Sequence, residues 1–435
     1  TAIEILSVIQ SEIFSTFLKE KFTKNPKDFS RMRKQTFAGT IIFMINFLTK
    51  SLSLEIVNFL SLLKRKNISQ ESFTKSAFVQ GRGKIKPEVF IHLNQKLVEE
   101  FYSNNPGVKK GVNGFRILAM DGSRFTLPHT RELARIYGET KNQNYSYVIQ
   151  AKACVLFDIL NNICIGGVFS PIATDERIQA KQLLDNCHKG DLVIYDRGFP
   201  SFDFMYEHYQ RGLEFLIRVR VDFNQVVKDF VQGGKLSQIV EMQPGKNSDL
   251  KGKPYDKNAS IKVRLLKIVL PDGEIEILVT SLMDSKQYGQ EIFKELYFKR
   301  WKIETYYDEL KNKIKGEEFS GYSNQSILQD FYSTLFVSNI QTLIVSEINE
   351  ELQEEQGFKK YQYKVNNSLS YGFMKDRILS LFLSQKEMAM IMEELKSLFK
   401  DHLVPIRPDR SYKRNVGKYR SRVKPIVTKN HKNSL

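Results

Sequence analysis

The sequence predicts a mixed α/β protein in which one sheet-forming region lies between two helical regions. Three observations support this fold class: apolar residues recur at helical spacing before residue 110, β-branched and aromatic residues dominate from Phe115, and helical spacing returns after Gln290. The chain has 435 residues, of which 41% are hydrophobic and 12% aromatic. At roughly 150 residues per domain, this length corresponds to two or three domains with ample material for a large core.

The predicted helices lie towards the two ends of the chain. Basic residues are frequent in the segments that follow the first three predicted helices. This pattern suits a small DNA-binding domain, and it suits any exposed helical bundle equally well. The long helix that begins at Gln290 is expected to end at Gly316. The predicted helical stretches are Ile3–Phe17, Thr36–Leu48, Leu54–Leu63, Gln290–Lys315, Ile327–Leu352 and Met374–Phe399.

Strands are predicted in the central region. Asn161-Asn162 predicts a hairpin turn, so the first three strands are expected to be antiparallel. Three such strands followed by alternating helix and strand are typical of a ribonuclease H-like mixed sheet. Residues 221–289, with a loop-rich stretch and two more strands, are interpreted as a β-rich insertion. The predicted strands are Phe115–Leu127, Tyr147–Leu160, Ile163–Ile172, Leu192–Tyr195 and Glu214–Arg220, and the helices between them are Glu176–Cys187 and Ser201–Arg211.

The protein carries a strong excess of positive charge. It has 66 Lys and Arg against 49 Asp and Glu, a formal net charge of +17, and a pI near 9.4. Ten of the basic residues and a single acid lie between Pro405 and Leu435. We expect this tail to be disordered alone and ordered on phosphates, although a solubilising role is equally compatible. The charge indicates a polyanion, nucleic acid or a membrane surface as partner.

Composition and motifs exclude several classes of protein. The three cysteines, Cys154, Cys164 and Cys187, include no close pair, which excludes a disulfide scaffold and a zinc ribbon. The longest apolar run is too short to span a bilayer and no secretory signal opens the sequence, so a cytoplasmic location is expected. Phosphate-binding, zinc-protease, serine-hydrolase and dinucleotide-binding signatures are all missing, and the six histidines show no ligand spacing. A catalytic site would therefore have to be built from carboxylates with basic and aromatic neighbours.

Two aspartates stand out by their position. Asp121 directly follows Ile117–Met120, the apolar part of the first predicted strand, and Asp196 directly follows the predicted strand Leu192–Tyr195. A buried carboxylate at such a position is costly unless it is paired or bound to a cation. Ligands in open α/β sheets also collect at the carboxyl ends of strands. Either residue alone fits a simple loop cap, and that interpretation is preferred for Asp158 and Asp284.

The long predicted helix carries the sharper pattern. Its residues Tyr297, Arg300, Glu304 and Lys311 fall within one stripe about 60° wide at 100° per residue, beside an apolar stripe. The helix can thus pack on the sheet while it presents Glu304 at the packing edge between cations. Periodicity alone is equally compatible with an ordinary Arg300–Glu304 ion pair worth a few tenths of a kcal/mol.

In combination, these motifs resemble the DDE transposases of bacterial insertion sequences, specifically the insertion-sequence-four family. The resemblance covers most of the chain. One departure concerns Trp301, the only tryptophan, which lies inside the helix signature, so the insertion offers no tryptophan to stack a flipped base. The motifs that carry the resemblance are Asp121-Gly122-Ser123, Tyr195-Asp196-Arg197-Gly198 and the Tyr297, Arg300, Glu304 and Lys311 spacing.

The resemblance implies a domain organisation and a set of site residues. The catalytic and metal-binding residues would be Asp121, Asp196 and Glu304, which would hold two Mg²⁺ ions, with Mn²⁺ as a substitute. The DNA-binding residues would be Tyr297, Arg300, Lys311, Arg197 and Trp301. The implied domains are a helical DNA-end-binding domain at 1–110, a ribonuclease H-like catalytic domain at 111–220 and 290–350, a β-rich insertion at 221–289, and a helical C-terminal region with the basic tail at 351–435.

The implied reaction is cut-and-paste DNA transposition in the bacterial cytoplasm, on the nucleoid. Water would attack first and free a 3′-hydroxyl at the transposon end, and this hydroxyl would later attack target DNA. The resemblance also implies a hairpin intermediate at the cut end. The partners would be double-stranded transposon ends and target DNA, bound by a homodimer, with no membrane involved. Two alternatives share the same sequence features: a metal-dependent nuclease that cuts without joining, and a non-catalytic DNA-binding protein derived from a transposase.

Overall fold

The structure is a computed structural model that describes residues 1–407 except 31–34, 47, 49, 66–71, 108–113, 142–146, 247–248, 271–272, 357–360 and 384. The predicted basic tail lies outside the described residues from position 408 onward. The described part is a mixed α/β protein with one large mixed sheet, which confirms the predicted fold class at that level.

Helices form the beginning of the chain. Several of them begin at a hydroxyl side chain that accepts a hydrogen bond from the first turn, as Thr1, Ser15, Thr36 and Thr74 do. These helices are α1 (Ala2–Ile13), α2 (Thr16–Phe22), α3 (Phe37–Met44), α4 (Leu52–Arg65), α5 (Lys75–Arg82) and α6 (Glu88–Asn104).

Nine strands of the described chain form the large sheet, in the order β2-β3-β1-β5-β6-β9-β8-β7, with β4 paired to β3. β1, β3 and β4 are antiparallel, whereas β1, β5 and β6 are parallel. β9 pairs antiparallel with β6, so the strands of residues 221–289 extend the same sheet. The strands are β1 (Ile117–Thr126), β2 (Glu139–Lys141), β3 (Tyr147–Asp158), β4 (Ile163–Pro171), β5 (Leu192–Tyr195), β6 (Glu214–Val219), β7 (Ser237–Met242), β8 (Ile261–Val269) and β9 (Ile275–Thr280).

Helices cover both faces of this sheet. Side chains alternate along β1, so Ile117 and Ala119 join the core beneath α11, α12 and α13, while Leu118 and Met120 join the core beneath α8, α9 and α10. The helices of this region are α7 (Arg131–Tyr137), α8 (Glu176–Leu183), α9 (Phe202–Arg211), α10 (Gln225–Gln232), α11 (Gln290–Lys299), α12 (Trp301–Asp308) and α13 (Asn324–Gln356), with a π-helical turn at Glu309–Lys313.

The C-terminal helices pack against the N-terminal helices. A single hydrophobic core contains residues of α1, α3, α4, α5 and α6 together with residues of α13 and of the C-terminal helices. Inside it, the fully buried Glu55 is paired with Lys375 at 3.0 Å. The five predicted domain boundaries stay a prediction. The C-terminal elements are β10 (Tyr363–Val365), α14 (Asn367–Met374), α15 (Arg377–Leu383), α16 (Gln385–Lys400) and β11 (Leu403–Pro405).

Two local expectations are wrong in detail. The strand does not end at Met120 before Asp121: Asp121 lies within β1, as the longer predicted span Phe115–Leu127 implies, because β1 stays paired with β3 as far as Thr126. The long predicted helix is not one regular α-helix: α11 ends before Arg300, α12 follows, and the π-helical turn replaces its last part.

Candidate active site

Asp121 lies within β1, and Asp196 lies on the loop directly after the neighbouring parallel strand β5. Ala119 of β1 is paired with Ile194 of β5, where the parallel pairing ends, so each aspartate follows this last pair by two residues. Because side chains alternate along a strand, Asp121 is on the face of β1 that carries Ala119, on which α11 and α12 pack. The charges of Asp196 and Glu304 both act on the Asp121 carboxyl, so the three carboxylates lie in one region.

Asp121 is held firmly on the sheet. Its Oδ1 accepts a hydrogen bond from the Gly122 backbone N–H at 2.8 Å, and the Tyr307 hydroxyl of α12 donates to the Asp121 carbonyl at 2.8 Å. Burial, together with the negative charges of Asp196 and Glu304, raises the pKa of Asp121 to about 7. This carboxyl therefore lies in an environment with too little positive charge around it.

Asp196 lies on the loop directly after β5, as predicted. The Gly198 backbone N–H donates to its Oδ1 at 2.8 Å, while Arg197 beside it is exposed. The preceding Tyr195 is fully buried, and its hydroxyl is 2.7 Å from the His208 Nε2 of α9. The strand that carries Asp196 is thus anchored by a buried polar contact one residue before the loop.

Arg300 connects Asp121 to the helix residue Glu304. Its Nη1 lies 3.4 Å from Asp121 Oδ2, and its Nη2 donates to Glu304 Oε1 at 3.0 Å. The guanidinium also lies 5.6 Å from the ring centroids of both Tyr297 and Trp301. The buried Arg300 Nε has no hydrogen-bond partner within the described part of the chain. Arg300 is thus more than the ordinary partner of Glu304, because it links the helix to β1.

The two aromatic residues of the signature differ in exposure. Tyr297 is 7% exposed, and burial raises its pKa to about 12, whereas Trp301 is 43% exposed. Tyr297 therefore supports Arg300 from inside, and Trp301 presents ring surface to solvent.

Lys311 departs from the predicted stripe. It lies in the π-helical turn, where five-residue spacing changes the direction of the side chain relative to an α-helix. Its Nζ donates to the Arg124 carbonyl of β1 and lies 4.8 Å from the centroid of the Phe125 ring, and burial lowers its pKa. The structure thus places Lys311 against β1, apart from the Arg300 contacts.

The donor set has the chemistry that a hard divalent cation requires. Asp121, Asp196 and Glu304 supply carboxylate oxygens, and the raised pKa of Asp121 shows that added positive charge would be favourable there. Among the described residues, no group of three or more His, Cys, Asp or Glu side chains is close enough together to hold a metal ion. In this structure, the positive charge between Asp121 and Glu304 belongs to Arg300.

The sequence analysis missed two residues of this region. Tyr307 has no predicted role, yet its hydroxyl donates to the Asp121 carbonyl at 2.8 Å and to the Ala153 carbonyl at 3.2 Å. Glu176 was treated only as the start of a helix, yet its carboxylate lies beside Gly122 and Gly198. Neither contact has a local sequence signal, since each joins segments far apart in the chain.

The candidate site thus combines Asp121 of β1, Asp196 after β5 and Glu304 of α12, with Arg300 between Asp121 and Glu304. Residues 113–340, just over half of the chain, match the family model of the transposase DDE domain, and the chain belongs to this family. It is therefore a polynucleotidyl transferase-type enzyme of DNA transposition, and members of its family depend on a divalent metal ion.

Curated relatives agree with this membership. The chain is 21% identical over 345 residues to transposase InsG of insertion sequence element IS4 from Escherichia coli K12, covering 78% of this chain and 76% of the relative. It is 19% identical over 352 residues to the transposase of IS231F from Bacillus thuringiensis subsp. israelensis, covering 71% of each. The predicted kinship with transposases of IS4-type elements is thus confirmed.

A comparison with solved structures aligns most of the chain with one transposase. It is a piggyBac transposase in a synaptic complex with hairpin DNA, with a TM-score of 0.45 and 12% sequence identity, covering 93% of this chain and 87% of that chain. A likeness at this level supports no argument. In the part of the chain that is described, no helix has the length and apolar character needed to cross a membrane.

Proposed function

We propose that this protein is a cut-and-paste transposase that binds the terminal inverted repeats of a mobile element and catalyses Mg²⁺-dependent strand cleavage and strand transfer. The observation that carries the proposal is the position of Asp121 and Asp196, each two residues beyond the last parallel pair of β1 and β5, together with the Arg300 link from Asp121 to Glu304. Family membership supplies the reaction class, and this geometry supports the choice of these residues.

Asp121, Asp196 and Glu304 would hold two Mg²⁺ ions, for which Mn²⁺ can substitute. Two such ions bound to one phosphodiester stabilise both its attacking and its leaving oxygen. The contribution of the protein is to keep the carboxylates in place: the Gly122 and Gly198 backbone N–H groups fix one oxygen of each aspartate. Fixed donors of this kind matter because small displacements of reacting groups slow a reaction strongly.

Arg300 is suited to hold a phosphate of the end DNA. Its Nε–H is buried without an acceptor among the described residues, and an N–H in that state favours an incoming oxygen atom. Trp301 beside it offers exposed ring surface to a base, Tyr297 supports the guanidinium, and the exposed Arg197 adds charge on the Asp196 side. Lys311 would contact DNA only after leaving the Arg124 carbonyl.

The order of elements supports a ribonuclease H-like catalytic core. Three antiparallel strands, β1, β3 and β4, precede α8, and the parallel strands β5 and β6 follow. The net charge of +17 suits a protein that must bind two DNA ends and a target. We propose a homodimer as the unit that brings the two ends together, with the tail after Pro405 contributing contacts that do not depend on DNA sequence.

The proposal is tested with purified protein, Mg²⁺ and a duplex that carries the element's end sequence. Nicks, hairpins and products joined to a target plasmid are scored separately, with a chelator and with Asp121→Asn as controls. Joined products that require both Mg²⁺ and Asp121 support the proposal. Cutting without joining would replace it by the nuclease alternative, and end binding without any cutting would indicate the non-catalytic one.

A further inference from the structure

A notch in β1 lies directly beside Asp121. Leu118 and Met120 point to the face on which α8 packs, and Gly122, the next position on that face, has no side chain. The Glu176 carboxylate of α8 fills this space: a Cβ on Gly122 would lie 3.0 Å from Glu176 Oε1. Even an alanine at this position would therefore displace the carboxylate.

The same carboxylate reaches the loop that carries Asp196. A Cβ on Gly198 would lie 3.6 Å from Glu176 Oε2 and 3.1 Å from Asp196 Oδ1. One oxygen of Glu176 thus faces the residue after Asp121, and the other faces the loop of Asp196. Glu176 is therefore wedged between the two segments that present the aspartates.

Glu176 is itself held in place by β3. It is the first residue of α8, and Lys152 of β3 lies with its Nζ 3.7 Å from Glu176 Oε1. The same Nζ donates to the Thr174 carbonyl at 2.8 Å, and the Gln179 side chain of α8 donates to the Lys152 carbonyl at 2.9 Å. Lys152 is thereby fixed between β3 and the beginning of α8, so its pairing with Glu176 has a defined geometry.

We propose that Glu176, held by Lys152, is a positioning residue that sets the placement of Asp121 and Asp196 relative to each other. This inference rests on the proposed function, since it concerns the reaction of those two aspartates. A carboxylate placed near two others is unfavourable on its own, and Lys152 offsets that repulsion. Without Glu176, the space beside Gly122 is empty, and the segments that carry Asp121 and Asp196 lose the side chain that lies between them.

The main test compares Glu176→Gln, Glu176→Ala and Lys152→Met with the full-length parent in single-turnover cleavage of an end duplex at saturating DNA. Supporting groups of this kind typically change activity by about 10- to 100-fold. We expect a loss of that size in cleavage rate for all three variants, with end-DNA affinity and melting temperature close to the parent. Glu176→Asp, which keeps the charge but is shorter, should recover part of the rate.

Glu394→Gln is the matched control. Glu394 lies on α16, and its carboxylate pairs with Arg377 of α15 at 2.7 Å. Its loss therefore removes a similar ion pair outside the site. Its cleavage rate should equal that of the parent. If the Glu176 and Lys152 variants cleave at the parent rate, or lose rate only in proportion to lost end binding or melting temperature, the proposal is wrong.

A double-mutant cycle tests the wedge itself. Gly122→Ala should slow cleavage by roughly a few-fold, because its methyl group pushes the Glu176 carboxylate aside by a few tenths of an ångström. In the Glu176→Ala background the same methyl group enters empty space, so Gly122→Ala should add little. Gly234→Ala, where an added Cβ meets nothing within 4 Å, is the control glycine. Fully additive effects of Gly122→Ala and Glu176→Ala would contradict the wedge.

Asp121→Asn, measured in parallel, separates this inference from the proposed function. If Asp121→Asn cleaves like the parent, the proposed function fails. If Asp121→Asn is inactive while the Glu176 variants are fully active, only the role of Glu176 fails.

Discussion

Arg116 and Asp191 lie at the start of β1 and β5, whereas Asp121 within β1 and Asp196 after β5 lie towards the other end, and the two ends differ in how well their charges are satisfied. Before β5, Asp191 accepts from Arg116 Nε at 2.9 Å, from a second guanidinium nitrogen of Arg116, and from the His188 backbone N–H at 2.7 Å. Within β1, Asp121 shares Arg300 with Glu304, and the nearest approach of Arg300 to Asp121 is 3.4 Å. After β5, Asp196 accepts a hydrogen bond from the Gly198 backbone N–H at 2.8 Å.

The comparison separates a buried ion pair whose hydrogen bonds are satisfied from a group of charges whose hydrogen bonds are not. Arg116 and Asp191 are both almost fully buried and bonded by two nitrogens, so a ligand would find nothing left to bind. At the other end, Asp121 has a pKa raised to about 7 by burial and neighbouring carboxylates, and Arg300 keeps an unsatisfied N–H. This shortage of positive charge is the feature that supports the proposed binding of a cation and a phosphate.

The largest expected effect comes from the catalytic end. Asp121→Asn, Asp196→Asn and Glu304→Gln should each abolish cleavage, because each removes a metal ligand whose stabilisation of the transition state is worth several kcal/mol. That corresponds to a rate loss of about a thousand-fold or more. Cleavage of an end duplex is measured alongside end binding, which should stay largely intact. Normal cleavage by any one variant would remove that residue from the site.

A substitution at the opposite end of β1 and β5, where Arg116 pairs with Asp191, should change the stability of the fold. Arg116→Met leaves Asp191 buried without its charged partner, and breaking such a pair costs about 3–5 kcal/mol. We expect melting to shift downwards by several degrees, while the cleavage rate per folded molecule stays at the parent value. A variant with unchanged melting but impaired cleavage would invalidate the distinction between the two ends.

Arg300 should show an intermediate effect that is specific for DNA. If it clamps phosphate, Arg300→Ala impairs cleavage or end binding far more than melting, and Arg300→Lys rescues only in part because Lys lacks the two-pronged geometry. Lys311→Ala should be milder, since Lys311 lies against the Arg124 carbonyl. Glu295→Ala, at an exposed position on the preceding helix α11, is the control. Arg300→Ala with parent activity would mark the contact as purely structural.

The smallest effect concerns pH and the anchor beneath Asp196. Burial lowers the pKa of His208 to about 4, against roughly 6.5 in an unfolded chain. The unfolded state therefore takes up a proton first, and on the order of 3 kcal/mol of stability is lost as pH falls from about 6.5 to 4. His208→Gln should flatten this part of the pH dependence of melting, unlike His129→Gln at an exposed position. An unchanged slope would contradict the account.

The sequence predicted the local positions of the candidate residues better than their surroundings. Asp196 directly after β5 and the Tyr297, Arg300 and Glu304 grouping follow from local patterns, because strand ends and helix faces are local properties. The position of Asp121 inside β1 depends on pairing with β3, and the π-helical turn at Lys311 depends on packing against β1. Local patterns report neither.

The long-range contacts could not be predicted from the sequence, because local patterns carry no information on distant partners. Arg116 and Asp191 are 75 positions apart, and Glu176 reaches Gly122 only because α8 folds back over β1. Within 221–289, α10 and β7 were not predicted, since each is short and only partly buried. Family resemblance supplied the overall architecture, but the difference between the two strand ends became visible only in the structure.

The most direct test of the central claim is strand joining by a pre-cut end. A duplex with a free 3′-hydroxyl at the element's end is mixed with protein, target plasmid and Mg²⁺, and joined molecules are counted. The account predicts joining by the parent and by folded Arg116→Met, and none by Asp121→Asn or in the presence of a chelator. Joining by Asp121→Asn at the parent rate, or loss of joining in well-folded Arg116→Met, would contradict it.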